Sequence, residues 1–545
     1  MSDNVYGHAN IKTKERKNMS LFKSVATFGG LTLVSRVTGF LRDMVLAYFL
    51  GASAMADAFV VSFKLPNLFR SLFAEGAFTS AFVPLFSQKL VADGKKKSIF
   101  FAAQAIAVLT SVVGLFVLLF EFLMPYVVTV LAPGFHGNPE KMQLAVQLCR
   151  ITFPFLLLIS IVSFQGGILN SFEKFAAPAA APIILNITMI VAAFTLPPFL
   201  PSTAHAIAIG ITIAGFLEVL WLAFFLRRIG IKIHPYLHIF KIMKKPEIHT
   251  LFKRIAPGVV GAGIYQINMA VDTILVSLVG SGALSWLYYA NRLQQLPLGV
   301  VGAAISVALL PLLSKALKAG DIDNARQTQD KAVEYGLLLS LPAAALLIVL
   351  AEPIVVFLFR HGQFLLSDAS QTAWAVIAYS VGLPCYVMTK ALMPNFFARG
   401  DTVTPVKYSF WVFVTNLTFN IILMRFFGHV GIAMATTIAA FVSLGQYIAG
   451  LKKRGYWQFQ KPLLMKMLKI SFVTVIMGVG AYLFLQAVQF YFPQYLNSYF
   501  YTFCVLAGAG IFALAIFLTL AKICGVIDVW QIIRAGRQKY GKKGA

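Results

Sequence analysis

Stretches of about twenty mostly apolar residues recur along nearly the whole chain. In lipid a backbone must satisfy its own hydrogen bonds, so such stretches fold as membrane-spanning helices. Fourteen are predicted, near residues 22–50, 54–88, 98–124, 143–171, 178–199, 204–226, 254–280, 283–316, 330–358, 369–398, 405–424, 429–450, 464–490 and 498–522. Composition agrees. Of 545 residues, 59% are hydrophobic and only 12% charged, where a soluble domain carries about 25% charged residues. The expected fold class is an all-α polytopic membrane protein.

A net charge of +26 invites a nucleic-acid reading. The placement of the cations rejects it. Lys and Arg cluster in short segments between spans, as cytoplasmic loops do. Residues 227–254 hold Arg227, Arg228, Lys232, Lys241, Lys244, Lys245, Lys253 and Arg254, and 452–469 hold a second cluster. The alternate loops, such as "GASAMAD" and "GSGAL", are nearly free of cations. An even number of spans puts both termini on one side, and the charges make that side the cytoplasm. Cys149, Cys385, Cys504 and Cys524 are scattered, with no CxxC pair, which argues against a disulfide framework or a zinc site. Residues 1–18 read as a disordered basic tail without a cleavable signal, and Met19 is an alternative start.

The chain also repeats itself. "AFVPLFSQKL" (81–90) matches "ALLPLLSKAL" (308–317) at half its positions, with Pro84 over Pro311 and Ser87 over Ser314. "LNIT" (185–188) echoes "TNLT" (415–418), and Pro154 echoes Pro384, at nearly the same separation. Spans 1–6 and 7–12 therefore read as two six-helix lobes. Six is even, so the repeat is parallel. In transporters the substrate path lies between such repeats. The expected organisation is a tail (1–18), an N-lobe (19–228), a basic linker (229–253), a C-lobe (254–451), two extra C-terminal helices (452–525) and a basic tail (526–545).

Charges inside spans are expensive and face a cavity or a partner. Spans one and two carry Arg36, Arg42, Asp43, Asp57, Lys64, Arg70 and Glu75, and span eight carries Arg292 beside Asn291, with Gln295 one turn on. Lys64, Asn67 and Ser71 share a helix face, and Arg70 lies one turn beyond Asn67. Pro66 and Gly76 should bend span two, and Gly39 allows a break in span one. Structural readings compete for several of these. Arg42 and Asp43 can pair with each other, Asp57 suits a helix N-terminus, and Glu75 can pair with Arg70. Arg36, Arg70 and Arg292 have no such simple account. Too few acids leave a positive cavity, so the cargo should be anionic. Arginine offers planar bidentate donors suited to phosphate or diphosphate.

No nucleotide-binding glycine loop or HExxH zinc motif is present. The longest loop is too short for a catalytic domain, so the chain reads as a transporter and not an enzyme. An antiporter would depend on membrane acids of shifted pKa. An enzyme on polyprenyl phosphates would need loop clusters of acids or histidines. A scaffold would tolerate loss of the cavity arginines.

The run "SRVTGFLRDMVLAYFLGASAMADAFVVSFKLPNLFRSLFAEGAFTSAFVP" (35–84) resembles the opening of the MurJ (MviN) family of bacterial lipid II flippases. "SWLYYANRLQQLPLGVVGAA" (285–304) and "ARGDTVTPVK" (398–407) resemble later parts of the same family. The likeness runs from Met19 to the C-terminus. It implies a multidrug/oligosaccharidyl-lipid/polysaccharide exporter fold in the bacterial inner membrane. It also implies lipid II as partner, alternating access, and a polyprenyl-tail groove at spans 13 and 14. Cell-wall synthesis proteins are further partners it suggests. The family's cavity residues fall on Arg36, Arg42, Asp57, Asn67, Arg70, Ser285 and Arg292; Lys64 joins them by the charge argument alone. Where the family often has Asp-Arg and then Glu in span eight, this chain has Asn291 and Gln295. The resemblance supplies no organic cofactor, but some relatives bind sodium, and Asp272 in span seven is the candidate ligand. The competing expectation is a flippase for another lipid-linked glycan, or an ion-coupled exporter of the same superfamily.

Overall fold

The computed structural model describes residues 3–71, 73, 77–233, 241–242 and 245–526. Among these, every regular element is a helix. The chain divides into two compact units, Met1–Ser281 and Gly282–Ala545.

The first unit contains α1 (Asp3–Leu50), α2 (Ala54–Arg70), α3 (Ala77–Ala92), α4 (Gly94–Leu131), α5 (Pro139–Thr152), α6 (Phe155–Ser171), α7 (Ala176–Thr195), α8 (Thr203–Arg228) and α9 (Pro246–Ser277). Helix α1 begins at Asp3, ahead of the first expected span. Ala, Lys, Glu and Arg in that stretch are good helix formers and extend the first span without a break. Helix α7 packs along α1 and α8, and α2 packs along α5. Helix α9, expected in the second lobe, packs against α2, α3 and α4 of this unit.

Pro66 sits inside α2. It has no N–H for the carbonyl four residues back, and the Ser62 carbonyl instead accepts the Thr152 hydroxyl at 2.8 Å. The helix then passes into π-helical turns at Ser71 and Phe73. Glu75 and Gly76, the expected partner of Arg70 and the expected bend, lie outside the described residues. So do 234–240 and 243–244 of the basic linker and the C-terminal tail from 527.

The second unit contains α10 (Ala283–Pro297), α11 (Ala303–Lys318), α12 (Ile322–Val349), α13 (Ala351–Phe359), α14 (Leu366–Leu392), α15 (Pro394–Phe397), α16 (Val403–Lys453), α17 (Lys461–Tyr491) and α18 (Tyr499–Ile523). A π-helical turn, Leu298–Gly302, joins α10 to α11 after Pro297. Helix α16 is two helices in one span of assignment. Gly428 takes φ 55° and ψ −131°, a conformation open to glycine, and breaks it between the spans expected at 405–424 and 429–450. The loop 398–407 is tied down by side chains. Arg399 lies 4.2 Å over the Tyr456 ring and bonds Asn395, while Arg454 reaches Asp401 at 2.8 Å and the Thr404 hydroxyl at 2.6 Å.

Helices α17 and α18 pack together and α17 packs on α12. Val473, Met477 and Ala513 are buried there with Leu337 and Trp457. Their opposite faces expose Phe472, Val475, Leu483 and Ile511, as a lipid-facing surface does. Among the described residues, ten helices are long and apolar enough to cross a membrane.

Candidate functional site

Arg42 is buried on α1, and most of its donors are spoken for. Its Nε and one terminal nitrogen reach Asp43 Oδ1 at 3.1 and 2.7 Å, and the other reaches Asn186 Oδ1 on α7 at 2.9 Å. Asn186 Nδ2 donates back to the Ser35 carbonyl and the Thr38 hydroxyl, each at 3.1 Å. The guanidinium also lies 5.1 Å from the centre of the Phe63 ring on α2. The pair with Asp43, one of the readings open for Arg42, is present. The group clamps α1, α2 and α7 together. Arg36, six residues earlier, is exposed.

Asp57 stands in the first turn of α2 with its side chain fully enclosed. Its Oδ2 accepts Lys141 Nζ of α5 at 2.7 Å. Lys141 also reaches the Ser281 hydroxyl at 3.3 Å and sits 4.2 Å over the Phe135 ring. Sequence reasoning missed Lys141. The signal was there: it is a cation in a segment read as an outer loop, where cations are scarce. Beside it, the turn Pro133–Gly137 meets the end of α9. The Gly134 amide donates to Ser277 Oγ at 3.2 Å, and a Cβ at Gly134 would collide with the Ser277 carbonyl.

Lys64, Asn67 and Arg70 are half-buried on α2. Asn67 Nδ2 donates to the Phe63 carbonyl at 2.7 Å. Phe69 packs edge-on against Phe116 and Phe120, with ring centres 5.0 and 5.2 Å away, which fixes the turn that presents Arg70. A second missed residue is Glu218 on α8. It is buried, and its Oε2 has no hydrogen-bond partner among the described residues. Its charge breaks an otherwise apolar span, a signal the argument from spans one and two passed over.

In the second unit Ser285 is buried in the first turn of α10. Arg292 is half-buried and lies over its own helix neighbour Tyr288, 5.0 Å from the ring centre, with 3.1 Å to the hydroxyl. Gln295 Nε2 donates to Asn291 Oδ1 at 2.5 Å. Gln294 bonds the Tyr379 carbonyl at 3.0 Å and Trp286 bonds Asp368 at 3.0 Å, anchoring α10 to α14. Asp272, on α9 of the first unit, accepts Asn268 Nδ2 at 3.3 Å. Among the described residues no group of three or more His, Cys, Asp or Glu could hold a metal.

Apolar helices carrying paired and half-buried cations define a multi-pass membrane transporter. The fold is shared with a multidrug-resistance MATE transporter of the MOP superfamily, in its inward-facing form. The TM-score is 0.65 at 15% identity, over 77% of this chain and 94% of that one. A closer structural likeness is to "Lipid II flippase MurJ, inward closed conformation", with TM-score 0.76 and 27% identity over 91% of this chain and 98% of that one. The family model "Lipid II flippase MurJ" matches residues 46–502. A curated relative from Rhizobium meliloti, "Probable lipid II flippase MurJ", is 37% identical over 529 residues, 95% of this chain and 96% of its own. The chain belongs to the MurJ family.

Proposed function

We propose that this protein is a lipid II flippase. It moves the undecaprenyl-diphosphate-linked peptidoglycan precursor from the inner to the outer leaflet of the bacterial cytoplasmic membrane by alternating access. The observation that carries this reading is the family match over residues 46–502. The chemistry is consistent with it. Anion recognition is assigned to Arg36, Arg42, Lys64 and Arg70 in the first unit and Arg292 in the second, with Arg42 oriented by Asp43 and Asn186. Guanidinium groups replace phosphate hydration with directed bidentate donors. An inside-negative potential favours the inward return of an empty positive site, by about 2.3 kcal/mol per charge per 100 mV.

The layout belongs to the same proposal. Helix α16 counts as two spans, and α2–α3, α5–α6, α10–α11, α12–α13 and α14–α15 count as one broken span each, which makes fourteen. They form two six-span lobes with α17 and α18 outside the repeat, and both termini lie in the cytoplasm. A coupling sodium ion, where one is used, would be held by the Asp272 carboxylate and Asn268 Oδ1. That amide oxygen is buried without a hydrogen-bond partner, and such oxygen donors suit a hard cation. Sodium-dependent flipping that survives Asp272→Asn would remove this assignment.

The test is replacement of the resident flippase in a depletion strain by this chain, wild type or Arg70→Ala. Lipid II accessible at the outer face is the readout. Accessibility that collapses in a well-expressed variant supports arginine-dependent flipping. No accessibility from folded wild-type protein moves the reading to another lipid-linked cargo.

A further inference from the structure

The loop between α16 and α17 folds against the start of α12. Trp457 is its buried centre, and the indole Nε1 donates to Asp330 Oδ1 at 2.6 Å. One turn further along α12, Glu334 accepts Lys466 of α17 at 2.8 Å. Beside these links lies a recess of about 100 Å³ between α12 and the loop. Arg326, Lys452, Gln458 and Gln460 stand in its wall, and Asp330 is its one acid. Neither cation makes a side-chain hydrogen bond or salt bridge among the described residues. Two cations against one acid leave the recess positive by one charge. Pockets that enclose a whole ligand measure about 300–1,000 Å³, so this one suits a single charged group at the end of a larger molecule. Arg326 offers a planar fork, Lys452 a point charge and the glutamines amide donors, a set that matches phosphate oxygens. A second observation says where the rest of that molecule lies. Leu464, Leu468 and Phe472 follow Gln460 at every fourth residue, so they share one face of α17. All three are exposed, as a surface covered by lipid is.

We infer that this recess binds the phosphodiester head of an anionic bilayer phospholipid, whose chains lie along the exposed face of α17. The inference rests on the layout proposed above, which puts residues 452–460 on the cytoplasmic side. Basic recesses between spans on that side suit anionic head groups. A phosphodiester carries one negative charge, which balances the recess. Inorganic phosphate and phosphate monoesters carry more at neutral pH, and the Asp330 carboxylate opposes the excess. A choline or ethanolamine head adds an ammonium, which Arg326 and Lys452 repel. The bound head bridges α12 to the α16–α17 loop and reinforces the junction that Trp457 closes.

The test uses the full chain in phosphatidylcholine nanodiscs that hold a small fraction of phosphatidylglycerol with a diazirine near its glycerol backbone. Mass spectrometry maps the labelled peptides. Label is expected on residues 322–330 and 452–464. Arg326→Gln and Lys452→Gln should each cut it about fivefold, the share of one cation at an anionic surface. Both side chains are exposed, so the fold should survive, and the thermal unfolding midpoint checks it. Asp330→Asn keeps an acceptor for Trp457 and removes the charge, so label should rise. Label that persists unchanged in the Arg326→Gln/Lys452→Gln double variant would overturn the inference. A fall in Asp330→Asn at an unaltered unfolding midpoint does the same, as does equal labelling by a diazirine phosphatidylcholine. Displacement by millimolar inorganic phosphate would assign the recess to a free anion, and displacement by undecaprenyl diphosphate would assign it to the cargo; either result ends the phospholipid reading. A thiol in Gln458→Cys that reacts only from the outer face would overturn the proposed layout together with the site. One that reacts from the cytoplasmic face, with label insensitive to the variants, overturns the site alone.

Discussion

Lys141 Nζ stands 2.7 Å from Asp57 Oδ2, and the two side chains are 5% and 0% exposed. Removing one partner of such a pair strands a buried charge, which costs about 3–5 kcal/mol. Lys141→Met should therefore lower the thermal unfolding midpoint in detergent sharply. Lys141→Met combined with Asp57→Asn should recover most of it. A single variant as stable as wild type would show that the pair does not hold α2 to α5.

The Ser62 carbonyl takes its hydrogen bond from Thr152 because Pro66 has none to offer. Thr152→Val should leave a buried carbonyl unpaired, at a cost of about 1–3 kcal/mol. Adding Pro66→Ala restores a backbone donor within α2 and should reverse part of the loss. Additive losses in this double-mutant cycle would contradict the exchange of donors.

Arg292 is held over Tyr288 by the ring and by the hydroxyl. Outer-face lipid II accessibility should fall from wild type to Tyr288→Phe, which keeps the ring, and further in Tyr288→Leu. A cation–π contact at a half-buried site is worth about 0.5–1 kcal/mol, so the steps are modest. Arg292→Lys should lose more than either, because an ammonium lacks the planar fork. Full activity in Tyr288→Leu would remove Tyr288 as a positioning residue.

The loop 398–407 should respond to acid. The Thr404 amide donates to Asp401 Oδ1 at 3.0 Å, and this bond, with the nearby Arg454, holds the Asp401 carboxyl below the usual carboxylate range. A depressed folded-state pKa contributes stability above the unfolded value of about 3.9. That contribution is lost as pH falls through the folded value. The carboxylate is solvent-reachable, so the effect is about 0.5 kcal/mol. Hydrogen exchange at the Thr404 amide should rise, relative to its intrinsic rate, below about pH 4. Asp401→Asn should abolish that step. A step that persists in Asp401→Asn would assign it to another acid.

The repeat shows how far local pattern reaches. Asn186 and Asn416, aligned by "LNIT" and "TNLT", are both buried, and each bonds across to a neighbouring helix. Their partners differ, Arg42 and Thr38 for one and Thr436 for the other. The pattern marked the positions and was silent on what they hold. Likewise the break at Gly428 falls where two apolar runs were separated in sequence. Ser285 and Arg292 were legible as polar residues in an apolar span, but the stacking of Arg292 on Tyr288 depended on side-chain direction along α10.

The sequence by itself determined that the chain lives in a membrane and where most of its apolar helices run. It also determined the sign of the charges within the spans. Those properties follow from local causes: backbone bonds must close within a helix in lipid, and proline and glycine act on their own turn. Only the tertiary structure decided which charges are spent on the fold. Arg42 went to Asp43 and Asn186, and Asp57 went to Lys141. Except for Asp43, these partners lie on other helices. A charge finds such a partner only when packing has chosen which helix faces meet.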